Sequence, residues 1–299
     1  MAKPRALLTG RSGFTGRYVA YELEDAGYEV FGLSNHGDDS APGFIRADLL
    51  DRDAVKQAVE SIRPDVVLHL AAIAFVAHGD VDEMYRVNVV GTRNLLEALA
   101  GSSKVPSLVV LASSANVYGN AKVEPITEDV PPAPANDYAV SKLAMEYMAR
   151  LWMDRLPVVI TRPFNYTGVG QSEQFLIPKI VAHFRAGRAE IELGNIDVFR
   201  DFSDVRDVAK AYRRIVAARP VSEILNICSG RTYSLKQVLN CASAIAGYEI
   251  SVKTNPQFVR VGEVHRLVGS RGRLDRYLGG MEFRPITETI KWMIEASPA

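Results

Sequence analysis

An apolar run from Arg5 to Thr9 passes directly into Gly10-Arg-Ser-Gly13-Phe-Thr-Gly16, and apolar residues then recur at helical spacing from Tyr18 to Ala26. A strand that turns on glycines into a helix sets the helix N-terminus over the strand end. In this pattern Gly10 makes the tight turn, Gly13 lets the backbone approach a pyrophosphate, and Gly16 lets the helix pack on the sheet. The first amides of the helix then face the phosphates, with Arg11, Ser12, Phe14 and Thr15 completing the loop. A glycine triplet alone is weak, since such turns join strands to helices in many folds. Its place between a strand and a helix favours a dinucleotide over a structural turn.

The rest of the first half repeats that rhythm. Tyr28 to Ser34 reads as a second strand, Phe44 to Ala47 as a third, and Asp51 to Ile62 as a helix stopped before Pro64. Asp65 to Leu70 is a fourth strand, Val81 to Ala100 a long helical pattern and Leu108 to Ala112 an apolar strand. A Pro-rich loop leads to the helix Tyr138 to Asp154, and Val158 to Thr161 is a sixth strand. Near-continuous apolar strands separated by helices predict an α/β fold with a doubly wound parallel sheet covered on both faces, the Rossmann arrangement. Beyond Arg162 the elements become short and mixed: a helix around Ile177 to Ala186, strands near Glu190 and Val198, a helix Val205 to Ala217 and a strand Ile224 to Ile227. Helices Ser234 to Ala246 and Ile286 to Glu295 look amphipathic. With no Gly-, Ser- or Pro-rich linker, a dinucleotide-binding domain over 1–165 is expected to interweave with a smaller substrate-binding region over 166–299. Elements around 205–228 should return to the sheet.

A chain of 299 residues can bury a large core, and 47% hydrophobic with 23% charged residues is ordinary for a folded soluble protein. Lys plus Arg and Asp plus Glu balance at 35 each, which favours neither nucleic acid nor membrane as partner, so any anion site must be local. The two cysteines, Cys228 and Cys241, are too few for a disulfide framework and lack metal-ligand spacing. Free thiols, no metal and a cytoplasmic location are expected, because a strand begins within a few residues of Met1 and no apolar run spans a bilayer.

For NAD, a carboxylate at the end of the second strand would hold the ribose diol. That position offers Ser34, Asn35 and His36 instead. Without a carboxylate to repel a 2'-phosphate, and with Arg11 to attract one, NADP(H) is favoured; NAD(H) stays open because Asp38 and Asp39 lie close behind.

Tyr138-Ala-Val-Ser-Lys142 places a phenol and an ammonium on one helix face. A fixed positive charge favours the phenolate, moving the tyrosine from near pH 10 toward working pH and making it a usable general acid. A bare match of this kind more often means a half-buried Tyr and a surface Lys. The other motifs decide between the two.

With the glycine loop, Ser113-Ser-Ala-Asn-Val-Tyr118 and Tyr138 to Lys142 in order, the chain resembles the extended short-chain dehydrogenase/reductases that act on nucleotide sugars. The resemblance runs nearly end to end. It implies Ser114, Tyr138 and Lys142 as the catalytic set, Asp48 in Ala-Asp-Leu49 as the adenine contact and Leu70-Ala71-Ala72 as the strand end under the cofactor. It further implies Asn88, Asn35 and Pro163 beside the cofactor, and Lys142 on the nicotinamide ribose. Asp48 could instead lead a helix, and Asn88 could be a buried hydrogen-bonding residue.

Arg162-Pro-Phe-Asn165, Gly194-Asn-Ile-Asp-Val-Phe-Arg200-Asp-Phe-Ser-Asp, Asn226-Ile-Cys-Ser-Gly230 and Arg260-Val-Gly-Glu263 look like the GDP-mannose dehydratase and GDP-4-keto-6-deoxy-mannose reductase branch. By that resemblance Asn165, Lys179, Asn195, Arg200, Arg260 and Glu263 hold the nucleotide diphosphate, with Ser114 on the sugar. Tyr166 departs from the histidine usual after that asparagine. Dehydratases carry an acidic residue just after the catalytic Ser or Thr, and here Ala115 and Asn116 stand there, so the expected reaction is NADPH-dependent reduction of a C4 ketone. GDP-rhamnose and GDP-6-deoxy-talose are both open as products. The alternatives are a nucleotide-sugar 4-epimerase with retained NAD, a reductase of a dTDP-linked sugar, and a non-catalytic NADP(H)-binding redox sensor. The resemblance also implies a homodimer through helices 81–100 and 138–154, with Leu143, Tyr147 and Leu151 at the contact unless they pack inside the monomer.

Overall fold

The computed structural model describes residues 2–35, 42–74, 80–258 and 265–297. In chain order its strands are β1 (Arg5–Thr9), β2 (Glu29–Ser34), β3 (Phe44–Arg46), β4 (Val66–His69), β5 (Leu108–Ala112) and β6 (Val158–Pro163). Then come β7 (Asn165–Thr167), β8 (Glu190–Leu193), β9 (Phe199–Asp204), β10 (Ile224–Ile227), β11 (Thr232–Ser234), β12 (Ser251–Thr254) and β13 (Arg266–Leu267). A seven-stranded sheet runs in the order β10-β6-β5-β4-β1-β2-β3, every pair parallel. The order reverses between β1 and β4, and the crevice outside the strand ends at such a reversal is where doubly wound sheets take ligands.

The helices are α1 (Phe14–Asp25), α2 (Arg52–Ile62), α3 (residues 81–100), α4 (Asp137–Arg150), α5 (Leu176–Arg185), α6 (Val205–Ala218), α7 (Leu235–Ala246), α8 (Gly272–Leu278) and α9 (Ile286–Glu295). One face of the sheet buries Leu8, Val110 and Val159 against Val19 and Leu23 of α1 and Tyr212 and Ile215 of α6. The other buries Leu7, Val67 and Leu111 against Val59 of α2, Leu95 and Leu99 of α3 and Met145 of α4. A third core joins α5, α7 and α9 through Ile180, Phe184, Val238, Leu239 and Ile290. Side chains set the helix starts: Asp51 caps α2, Asn136 caps α4, and Ser234 with Gln237 forms a capping box on α7.

Several boundaries differ from expectation for local reasons. β6 continues through Arg162 to Pro163, because the charge that interrupts the apolar run is itself buried and paired. α4 stops at Arg150, where the bonds tighten to i→i−3 pairs from Leu151, Trp152 and Met153 to Met148, Ala149 and Arg150. α3 is not uniform: Arg86–Gly91 widens into a π-turn between Val81–Tyr85 and Thr92–Ala100, a distortion hydrophobic spacing does not register. Short α8 also lays Leu274 and Leu278 on the sheet core, so return to the sheet does not end near residue 228.

Candidate active site

The glycine loop fits a dinucleotide on its own geometry. Gly10 sits at φ +73°, and a Cβ there would lie 2.9 Å from the Ala71 amide nitrogen, joining the β1 and β4 ends at the crevice. A Cβ on Gly16 would fall 1.9 Å from the Gly10 carbonyl oxygen, so only glycine lets α1 start so close to β1. Gly13 is the α1 N-cap; it supplies no side-chain acceptor and the first turn holds no acid, leaving the leading amides to an external anion. Ser12 is exposed, while Phe14 stacks on Tyr166 at 6.1 Å and Thr15 Oγ1 lies 2.8 Å from the Tyr166 hydroxyl.

Arg11, expected to attract a 2'-phosphate, pairs with Glu24 of α1 at 3.0 Å, donates to the Pro42 carbonyl and lies over the Phe44 ring at 4.8 Å. A phosphate there competes with Glu24. Asn35, at the β2 end, is exposed; His36, Asp38 and Asp39 lie outside the described residues. Asp48 Oδ1 accepts from the Leu50 amide in a turn leading to α2, and the Leu49 carbonyl accepts from Asn94 Nδ2. Leu70, Ala71 and Ala72 follow β4, and Pro163 closes β6.

Ser114, Tyr138 and Lys142 meet at the ends of β5 and β6. Ser114 is extended and caps the 3₁₀ turn Ala115–Tyr118, its Oγ accepting from the Asn116 amide at 3.1 Å. The same hydroxyl lies near enough to the Tyr138 phenol to oppose the effect of its burial. Asn136 caps α4 through the Ala139 amide and thereby fixes Tyr138 in the first turn. Tyr138 and Lys142 are 8% and 4% exposed, which rules out the half-buried-Tyr, surface-Lys reading. Lys142 Nζ donates to the Ala112 carbonyl at 2.8 Å.

The expected lowering of the phenol is not found. Burial pushes Tyr138 above the ordinary tyrosine value, the Tyr166 phenol adds to this, and only the Ser114 hydroxyl opposes it. Burial also pulls Lys142 down to about 8, against the opposing charge of Glu146. Desolvation dominates, and Lys142 is not among the groups that act on the phenol. The phenol therefore holds its proton throughout the neutral range.

Behind the pair runs a buried hydrogen-bond chain that spacing alone does not show. Thr92 Oγ1 donates to the Asn88 carbonyl and so accepts from His69 Nε2–H at 2.8 Å; Nδ1 of the neutral ring then accepts from Thr9 Oγ1 at 2.6 Å, and Thr9 Oγ1 accepts from the Ala71 amide. From the π-turn Asn88 Nδ2 donates to Ser141 Oγ and the Ile73 carbonyl, while its Oδ1 accepts from the Ile73 amide. Ser141 in turn donates to the Tyr138 carbonyl. Asn88 thus clamps the segment after β4 to the helix carrying Tyr138.

The residues expected to hold the nucleotide are spread over the cap. Asn165 on β7 and Arg200 on β9 lie on paired strands, with Arg200 Nη1 donating to the Phe199 carbonyl. Lys179 Nζ donates to the Glu192 carbonyl and lies over the Phe258 ring, while exposed Asn195 Oδ1 accepts from the Asp197 amide. Arg260 and Glu263 lie outside the described residues. Tyr166, expected as a departure on the sugar side, faces the cofactor loop through Thr15 and Phe14; the departure from histidine was the one signal available. Both cysteines are free, and Cys228 is buried.

The switch-point crevice, the uncapped helix and the Ser-Tyr-Lys set together define a dinucleotide-dependent enzyme of the extended short-chain dehydrogenase/reductase type. The NAD dependent epimerase/dehydratase family model matches residues 6–228, and the chain belongs to that family. It is 33% identical to GDP-6-deoxy-D-talose 4-dehydrogenase of Aggregatibacter actinomycetemcomitans, over 92% of this chain and 91% of that protein. It is 34% identical to GDP-6-deoxy-D-mannose reductase of Pseudomonas aeruginosa, over 90% and 89%. The solved structure of RMD from Pseudomonas aeruginosa with NADPH superposes with a TM-score of 0.83 at 31% identity, over 98% of this chain and 96% of that one. Among the described residues no helix is long and apolar enough to cross a membrane.

Proposed function

We propose that the protein reduces the C4 ketone of a GDP-4-keto-6-deoxy-hexose, such as GDP-4-keto-6-deoxy-D-mannose, to a GDP-6-deoxy-hexose, with NADPH as the favoured cofactor. The observation that carries this reading is the burial together of Ser114, Tyr138 and Lys142 at the end of β5, with Ala115 and Asn116 next in the chain where elimination would need an acid. The similarity to one protein named as a GDP-sugar reductase and another named as a GDP-sugar 4-dehydrogenase supports C4 as the reacting carbon. When bound, the dinucleotide supplies hydride to that carbon. Tyr138 gives its proton to the ketone oxygen, and Ser114 donates a hydrogen bond to the same oxygen. Lys142 holds positive charge beside the phenolate this leaves and orients the nicotinamide ribose. Asn165, Lys179, Asn195, Arg200, Arg260 and Glu263 are assigned to the nucleotide diphosphate, where arginine–phosphate contacts are the strong ones.

Incubation with enzymatically made GDP-4-keto-6-deoxy-D-mannose and NADPH tests the reading, with NADPH absorbance followed and the product taken to NMR. Stoichiometric NADPH oxidation with a new C4 hydroxyl supports reduction; interconversion of two sugar nucleotides with no cofactor release means an epimerase.

Arg11→Ala should weaken NADPH about ten-fold or more while changing NADH little, as befits loss of one charge-assisted contact. Competition with Glu24 sets the ceiling, so Glu24→Gln should tighten NADPH. Titration of both cofactors by protein fluorescence decides it, and equal weakening of both would leave Arg11 a loop-shaping residue.

The homodimer is proposed through α3 and α4. Val90, Val140, Tyr147 and Leu151 are exposed there, Leu151 by 80%, whereas Leu143 turns inward to the cluster around Val117 and Tyr118. Light scattering at micromolar concentration should return twice the chain mass, and Tyr147→Glu with Leu151→Glu should halve it. A monomer in the unaltered protein removes the idea.

A further inference from the structure

Next to the tyrosine and lysine lies a buried charge cluster. Lys142 and Glu146, one helical turn apart on α4, are 4% and 0% exposed, and Arg162 on β6 is 2% exposed. Arg162 grips the carboxylate with both ends of its fork, Nε to Oε1 at 2.9 Å and Nη2 to Oε2 at 2.6 Å. Its Nη1 has no hydrogen-bond partner, and the guanidinium lies over the Tyr118 ring at 4.8 Å.

Stability alone is a poor reason for such a cluster. Apolar replacement of a buried ion pair is often neutral or stabilising, and here the pair leaves one guanidinium nitrogen unsatisfied. Lys142 has a clearer need, since a buried ammonium sheds its proton unless a negative charge stands near. Among the described residues the other ionisable groups around the cluster bring no negative charge to Lys142, and Glu128, which reaches Tyr118, does not act on it. His69 on β4 is kept neutral by burial, Tyr138 on α4 and Tyr118 in the 3₁₀ turn stay protonated in the interior, and Arg162 is a cation. From β5 comes only the Ala112 carbonyl.

We propose that Glu146, clamped by Arg162, is the positioning residue that keeps charge on the Lys142 ammonium. Arg162 fixes where that charge sits on the helix by holding both carboxylate oxygens. The chemical use of the charge rests on the reading of Lys142 as an active-site cation. Its existence does not.

The test therefore reads charge on the ligand-free protein. Protein labelled with 15N-lysine is titrated by NMR at the side-chain nitrogen, with Lys142→Met assigning the signal. The unaltered protein should titrate near pH 8 at this residue. Glu146→Gln should move the midpoint down by at least one pH unit, a ten-fold loss of ammonium at a given alkaline pH, and Glu146→Asp should restore most of it. Because Glu146→Gln leaves Arg162 unpaired and can prevent folding, Glu146→Leu combined with Arg162→Met serves as the second variant, and its midpoint should also fall. A midpoint unmoved in the folded variants overturns the proposal. A midpoint that moves while the alkaline limb of turnover stays put leaves the proposal standing and removes Lys142 from the chemistry.

Discussion

Tyr138→Phe should lower turnover of GDP-4-keto-6-deoxy-D-mannose by roughly 100 to 10,000-fold, the usual cost of losing a positioned general acid. The ring stays in its buried seat and only the hydroxyl is removed, so NADPH and sugar nucleotide should bind as before. The phenol is raised by burial, so below pH 8 it is fully protonated and the proton to be delivered is always present. Lys142 sets the alkaline side. Its ammonium is lost as pH rises through about 8, and the rate of reduction should fall with it. Lys142→Met should depress turnover and also raise the dissociation constant of NADPH, a signature Tyr138→Phe lacks. Single-turnover measurements make the comparison where hydride transfer limits the rate. Near-normal turnover in Tyr138→Phe would transfer the acid role elsewhere and strengthen the redox-sensor alternative.

His69 should make the fold acid-sensitive. It is 2% exposed, and burial together with the Lys142 charge pulls its imidazole from the usual 6.5 down to about 3. A base whose folded value is depressed stabilises the fold fully above pH 6.5, and that stability is lost as pH falls toward 3, because the unfolded chain takes up the proton first. The slope is about 1.4 kcal/mol per pH unit for one proton. A protonated ring would also overturn the chain in which Nδ1 accepts from Thr9 and Nε2 donates to Thr92. His69→Gln should therefore be less stable than the unaltered protein at pH 7, with the gap closing by about that slope between pH 6 and 4. Urea midpoints at three pH values measure it. Parallel curves would mean that His69 is already charged in the native protein.

Much of the architecture is legible in the chain. β1 through β5 are short apolar runs bounded by turn residues, and the glycine loop is constrained by contacts within a few residues of itself, Gly16 against Gly10 above all. Such features are local, and local chemistry is what a sequence displays. β6 and α8 were harder: Arg162 looks like a surface charge until Glu146 is found opposite it, and α8 is too short to show a period.

Family membership and fold class were therefore determined by sequence alone, through motifs whose spacing is set by strand, turn and helix geometry. Tertiary structure decided the electrostatics. Whether Tyr138 rises or falls from its ordinary value depends on desolvation by segments far away in the chain, and the lysine one turn along the same helix does not lower it. The structure also decided that Arg11 is paired with Glu24, that Tyr166 serves the cofactor loop, and that His69, Asn88 and Ser141 form one chain. Charge and hydrogen-bond energies depend on distance and dielectric in space, and spacing along the chain fixes neither once residues 60 or 151 positions apart come into contact.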